Sequence, residues 1–248
     1  MDSADEQNAR NYDAHAREWE AASATNVGHV YLEKPAMMAE LDDLSGRNVL
    51  CIGVGSGEEL GEILSKNPAH VVGIDTSTEL LKLAEAKFPS VELHQMDMED
   101  LAFPTWSFDF IYSSLALHYT KDWDQLLDTI NRAMKPGATL LFSTPNPDYW
   151  AKKPATGHSV TNERGVVLSE HTAVLPGGVE ITYYNHPNVD SIRDAVEHAG
   201  FKIEKSFTPI VIDMTDSVPE DVQKSYEGLR TKNAETPLFL VVKAKKQG

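Results

Sequence analysis

The 248-residue chain changes its apolar rhythm twice. Between residues 48 and 143, short apolar runs alternate with helical stretches. Strands are predicted at 48–53, 69–75, 91–95, 107–115 and 138–143, and helices at 57–66, 77–87 and 123–134. The run Val49-Leu50-Cys51-Ile52 is unbroken by polar residues, as in a strand covered on both faces. Such alternation builds a parallel sheet with helices on both sides, joined by right-handed crossovers. Upstream, residues 1–45 read as helical. Tyr12, His15 and Trp19 follow one another at spacings of three and four, which puts their rings on one face of a helix over 8–22. That face either packs on the core or forms a lid over a cavity.

Past residue 143 the rhythm breaks. Thr144-Pro145-Asn146-Pro147 is a turn cluster, and 144–187 is polar and punctuated by Gly and Pro. It reads as an insertion with one or two short strands, at 166–168 and 179–183. A helix at 189–199 ends at Gly200, and strands at 201–212 and 237–244 finish the chain. The acidic piece 213–236 reads as a loop with a short helix. Thr76-Ser77-Thr78-Glu79 is a capping box for the helix at 77–87, and Lys135-Pro136-Gly137 stops the helix at 123–134. The expected architecture is one α/β domain over 1–248. It has a helical lid (1–45), a nucleotide-binding core (46–143), a cap insertion (144–187) and a C-terminal part of the core (188–248).

Charge narrows the partners. With 22 basic and 38 acidic residues, the net charge of −16 repels phosphate backbones and anionic membranes, so neither nucleic acid nor membrane is expected. No run approaches the roughly 20 apolar residues of a membrane helix. The polar, acidic start Met1-Asp2-Ser3 is no signal peptide, and the single Cys51 allows no internal disulfide. A cytoplasmic location is the simplest expectation. The nine histidines show no metal-ligand spacing, so no metal site is expected.

The chemistry is densest at Gly53-Val54-Gly55-Ser56-Gly57, between the first strand and its helix. Glycines let a ligand approach the backbone, and the helix start offers unpaired N–H groups to it. Asp75 ends the second strand 22 residues after Gly53, where a carboxylate can accept hydrogen bonds from both hydroxyls of a ribose. A P-loop is excluded, because no Gly-Lys-Ser/Thr follows. For a dinucleotide dehydrogenase the third glycine would stand at 58; Glu58 there would face a pyrophosphate and disfavours NAD. Asp97, past the third strand, can accept an exocyclic amine while Met98 packs on a base. The competing role for Asp97 is to cap a loop. His118, just past the fourth strand, is placed to take a proton near neutral pH or simply to orient its loop. Tyr119, His15, His158, His171 and His186 are secondary candidates.

These stretches, with Asn11-Tyr12-Asp13 upstream and Ser113-Ser114-Leu115-Ala116-Leu117-His118 downstream, resemble the class I S-adenosylmethionine-dependent methyltransferases. The likeness is to the small-molecule group that includes ubiquinone- and biotin-pathway enzymes, and it spans most of 10–147. It implies a Rossmann-like, doubly wound, mostly parallel seven-stranded sheet with a reversed final strand. It implies that Gly53, Gly55 and Gly57 line the methionine part of the cofactor. Asp75 and Thr76 would hold the ribose, and Asp97 and Met98 the adenine. Ser113 and His118 would border the methionine end and the acceptor, and Tyr12 would belong to the lid. S-adenosylmethionine is then the cofactor and a small molecule the acceptor. The chain departs from the pattern at Cys51, where many relatives carry an acid near the cofactor's ammonium; backbone carbonyls or water are the implied substitutes. A silent cofactor-binding protein on the same fold and an NAD-dependent oxidoreductase are the rival readings. Acidity weakens a tRNA-modifying role.

Overall fold

The strand residues alternate between two cores. Leu50 and Ile52 face one side of the sheet; Val49 and Cys51 face the other, as a pleat with a period of two requires. The computed structural model describes residues 4–151, 158–162, 164–210, 218–220 and 222–248. The chain opens with α1 (Ala4–Ala14), α2 (Ala16–Ser23), a π-helical turn (His29–Glu33) and α3 (Lys34–Ala39). The core then runs β1 (Asn48–Ile52), α4 (Leu60–Leu64), β2 (His70–Asp75), α5 (Thr78–Lys87), β3 (Glu92–Gln95), β4 (Phe108–Ser113), α6 (Trp123–Ala133) and β5 (Met134–Pro145). After it come α7 (Pro147–Trp150), β6 (Ser159–Thr161), β7 (Val167–Val174), β8 (Glu180–Asn185), α8 (Val189–His198), β9 (Phe201–Phe207), α9 (Gln223–Glu235) and β10 (Phe239–Lys246).

The main sheet has seven strands in the order β3-β2-β1-β4-β5-β10-β9, and β10 runs antiparallel to both neighbours. The expected doubly wound α/β sheet with one reversed strand is what forms. The order reverses between β1 and β4, which opens a crevice at their carboxyl ends. On one face, α6 and α8 bury Leu126, Leu127, Ile130, Ile192 and Val196 against the sheet. Each fully buried Leu or Ile contributes roughly 1.5–3 kcal/mol relative to exposure. Asp122 and Asn188 cap the two helices by accepting from the amides of Gln125 and Ser191. On the other face, Met37, Leu41 and Leu44 of the N-terminal segment close over Phe110 and Tyr112.

Several local expectations need correction. The helix over 8–22 breaks at His15, whose φ of −128° and ψ of 24° are non-helical. The helix expected at 57–66 is only Leu60–Leu64, because Gly57 at φ +83° holds the preceding turn open. Ser77, not Thr76, caps α5 by accepting from Leu80 N. Residues 144–187 hold more strand than expected: β6, β7 and β8 form a separate antiparallel sheet. The polar piece 213–236 holds the 13-residue α9, while its start lies outside the described residues, as does the end of the strand expected at 201–212.

Candidate active site

A cavity of about 440 Å3 opens at the switch point between β1 and β4. That volume suits a small-molecule site, typically about 300–1,000 Å3. Its floor comes from the loops after β1, β2, β3 and β4, and includes Gly53, Gly55, Asp75, Asp97 and Ala116. Tyr12 and Trp19 of the N-terminal helices cover it, and Trp150 and Ile181 close the far side.

The floor explains its own residue choices. Gly53 has a φ of +68°, and a Cβ there would lie 2.4 Å from Ala116 Cβ. The loops after β1 and β4 touch at that point, so only glycine fits. Gly55, at φ +53°, would carry its Cβ into open space, leaving its backbone bare to the cavity. Its N–H donates to Asp75 Oδ2 at 2.9 Å, while Ser77 N donates to Asp75 Oδ1 at 2.9 Å. Burial raises the Asp75 carboxyl pKa, and the amides of Ser77 and Gly55 oppose that rise. Thr76, Asp97 and Met98 also line the floor. Asp97 accepts from Glu99 N at 2.9 Å, so it both caps a short 3-10 turn and faces the cavity.

Two expected site residues do not reach the wall. Gly57 sits under Phe88 and Leu60, where a Cβ would come within 3.1 and 3.0 Å of them; it serves the packing of the turn. Ser113 is fully buried and donates to the Ile52 carbonyl at 3.2 Å, tying β4 to β1. The next two residues, Ser114 and Leu115, line the cavity instead. Leu115 has a φ of +47°, a strained value for a leucine, held by its N–H donating to Ser143 Oγ at 3.0 Å. Nothing in the sequence marks it.

The N-terminal helices are pinned from three sides. Asp13 Oδ1 accepts from Ser77 Oγ at 2.7 Å and Glu79 N at 3.0 Å, which ties α1 to the start of α5. Asn8 exchanges two 2.8 Å hydrogen bonds with the backbone of Thr182 in β8. The β7–β8 turn presses on α2 so closely that a Cβ at Gly177 would lie 2.8 Å from Glu18 O. Tyr12 therefore stands over the cavity, its hydroxyl 2.6 Å from that of Tyr119 and its ring edge-on to Trp19. His15 lies against Gly178, away from the wall.

His118 lines the cavity between the rings of Tyr119 and Tyr183. Its Nδ1 is buried without a hydrogen-bond partner, and burial lowers its pKa to about 3. Against the expected titration near neutrality, burial without a charged partner favours the neutral ring. His171 stacks on Tyr183, and His186 packs on Trp123 with Nδ1 3.1 Å from Ser191 Oγ. Neither lines the cavity, and His158 is exposed.

Sequence spacing gave no hint of the opposite end. His29, from the π-helical turn, lies 3.0 Å from Glu33 Oε2 and 3.0 Å from Glu59 Oε1, with Glu58 Oε2 at 3.5 Å. Despite its burial, these carboxylates push the His29 pKa up to about 12. Among the described residues, His29, Glu58 and Glu59 are the one trio of His, Cys or acid side chains close enough to share a metal ion. In this structure the three groups and Glu33 form an ion-pair network around the imidazole. Ser114 and Ser143 donate to Glu33, and Ser23 donates to Glu58.

A family model described as a methyltransferase domain matches residues 50–142, the segment that carries the floor. A solved S-adenosylmethionine-dependent methyltransferase from Mesorhizobium loti is 26% identical and superposes with a TM-score of 0.68, covering 90% of this chain and 99% of its own. The match and the superposition support a class I S-adenosylmethionine-dependent methyltransferase. The same likenesses support S-adenosylmethionine as the cofactor. Among curated proteins, the chain is 33% identical to malonyl-[acyl-carrier protein] O-methyltransferase 1 of Coxiella burnetii, over 52% of this chain and 45% of that one. It is 31% identical to trans-aconitate 2-methyltransferase of Deinococcus radiodurans, over 47% and 46%. The chain spans about half the length of the curated relatives it matches. No helix among the described residues is long and apolar enough to cross a membrane.

Proposed function

We propose that this methyltransferase acts on a small, uncharged or cationic acceptor held under the lid, beside the cofactor. The observation that carries the reading is a single cavity that joins the Gly53–Gly55 turn and Asp75 to an aromatic end formed by Tyr12, Trp19 and Trp150. The floor fits the cofactor. Gly55 leaves room for it, and each Asp75 oxygen takes one backbone amide and keeps a lone pair for a ribose hydroxyl. Thr76 borders the same ribose position, Asp97 and Met98 the base, and Tyr12 covers the site. Gly57 and Ser113 act indirectly, by fixing the turn and the strand that present these groups. The charged side chains among the described lining residues are Glu58, Glu59, Asp75, Asp97 and His29, without Lys or Arg, which disfavours an anionic acceptor.

When bound, the cofactor supplies a sulfonium-activated methyl group whose leaving thioether is neutral and needs no general acid. The protein's tasks are alignment and exclusion of water. The lid clasp of Asn8, Asp13 and Gly177 holds the aromatic roof for that purpose. Neutral His118 accepts a hydrogen bond from the acceptor's hydroxyl or amine and orients it. A role as strong base is disfavoured by its low pKa.

The test is calorimetric titration with S-adenosylhomocysteine and with NAD, followed by an acceptor screen read by mass spectrometry. Asp75→Ala is expected to weaken S-adenosylhomocysteine binding at least about 100-fold, because it removes both ribose contacts. Binding of NAD alone, or an unaffected mutant, would sink the assignment of the floor.

A further inference from the structure

Position 51 raises a charge problem that the structure resolves elsewhere. Cys51 is buried among Val49, Phe110 and Tyr112, with its thiol pKa raised by burial and then by the nearby Glu59 carboxylate. Cys51, Gly53, Glu59, Tyr112 and Ser114 surround a void of about 10 Å3, and Glu59, Gly53 and Ser114 also line the main cavity. Glu59 thus reaches from the loop before α4 into the space beside residue 51 and faces the glycine turn.

We propose that Glu59, oriented by His29 and backed by Glu33, binds the primary ammonium of the cofactor's amino-acid portion in place of an acid at position 51. The inference rests on the cofactor reading above.

Three observations support it. First, three carboxyl groups surround one imidazole, so acidic groups outnumber the cation at the cavity wall, and burial with the crowding of Glu33 and Glu58 raises the Glu59 pKa. Lys34 is committed to the Glu58 carbonyl at 2.7 Å and to Glu62 at 2.9 Å, and Lys87 to the Ser56 carbonyl at 3.0 Å. A ligand ammonium balances the surplus. Second, Glu59 Oε1 is buried and makes no hydrogen bond, although it lies 3.0 Å from His29 Nε2. It keeps acceptor capacity beside the Gly53 turn, where the methionine portion would lie. Third, an acid at 51 would add another carboxylate beside Glu59 and Glu33. A small neutral thiol avoids that repulsion.

The experiment compares two probes by calorimetry: S-adenosylhomocysteine, which carries the ammonium, and 5′-methylthioadenosine, which lacks the amino-acid portion. Glu59→Gln is expected to weaken S-adenosylhomocysteine binding about tenfold or more and to leave 5′-methylthioadenosine unchanged. Glu62→Gln, at the exposed neighbouring carboxylate, is expected to change neither. An unchanged S-adenosylhomocysteine affinity in Glu59→Gln overturns the proposal. So does equal weakening of both probes, which would assign Glu59 to the fold or the nucleoside. In both cases parent binding leaves the cofactor reading standing. If the parent protein binds neither probe, that reading falls and the ammonium site falls with it.

Discussion

Two histidines line one cavity and differ in charge, one a cation and the other neutral. His29 is surrounded by Glu33, Glu58 and Glu59 and is held as an imidazolium, its pKa pushed up to about 12. His118 sits between Tyr119 and Tyr183, faces no charged partner, and falls to about 3. Burial acts on both in the same direction, against the charged form. Three carboxylates within reach outweigh it at His29; at His118 nothing opposes it. The difference divides the cavity. The acid end suits a cation and a fixed polar ligand, and the aromatic end suits an acceptor that is shaped and stacked rather than paired by charge.

The largest test removes the charge at the acid end. His29→Gln leaves three neighbouring carboxylates without their common cation. Breaking a buried ion pair in this way costs about 3–5 kcal/mol, read as the loss of unfolding free energy in urea at pH 7. In the parent, the raised His29 pKa stabilises fully below the unfolded value of about 6.5, and this is lost as pH rises toward about 12. The variant should instead recover as pH falls, when its crowded carboxylates take up protons. Parent-like stability at pH 7 would mean that solvent, not His29, neutralises the cluster.

Acidification separates the ends at the next scale. His118 and His186 are depressed to about 3 and about 4 by burial. Below about pH 6.5 the unfolded chain binds protons at these rings that the native state refuses. Stability is therefore expected to fall on acidification from pH 6.5 toward 4, by up to about 1.4 kcal/mol per pH unit for each ring. His118→Gln should flatten that slope by one histidine's share in denaturation at pH 5, 6 and 7. A slope identical to the parent's would show that the ring is not held neutral.

The same division governs how much the sequence disclosed. The floor is built from contiguous signals: an apolar strand, a glycine turn and an acid at the next strand's end each fix neighbours a few residues away. Gly53, Gly55, Asp75, Thr76, Asp97 and Met98 therefore line one cavity. The acid end gathers residues 29, 33, 58 and 59, and no local spacing links a π-helical turn to the loop after β1. Glu58 drew notice only as an argument against a dinucleotide. The sheet β6–β7–β8 is also hard to read, because its strands carry many exposed polar positions and the turns between them hold Gly165, Pro176, Gly177 and Gly178. Its position over the cavity is set by Asn8 on Thr182 and by Glu18 against Gly177, partners far away in the chain.

The smallest effect probes whether the lid does more than pack. Tyr12→Phe keeps the ring and its edge-on contact with Trp19 but removes the 2.6 Å hydroxyl contact with Tyr119. The Tyr119 hydroxyl remains at the cavity wall, where solvent can replace the lost partner, so the stability cost should be about 1 kcal/mol or less. The phenol pair spans the two parts of the wall that the acceptor must fit between, α1 above and the loop after β4 below. Loosening it should therefore lower kcat several-fold and leave the affinity for S-adenosylhomocysteine within about twofold of the parent. Calorimetry on the same preparation used for turnover separates the two readouts. A loss of cofactor affinity with normal kcat would move Tyr12 to the floor's side of the comparison. Unchanged values of both would reduce the hydroxyl pair to packing, leaving the roof's rings rather than their polar tips to close the site.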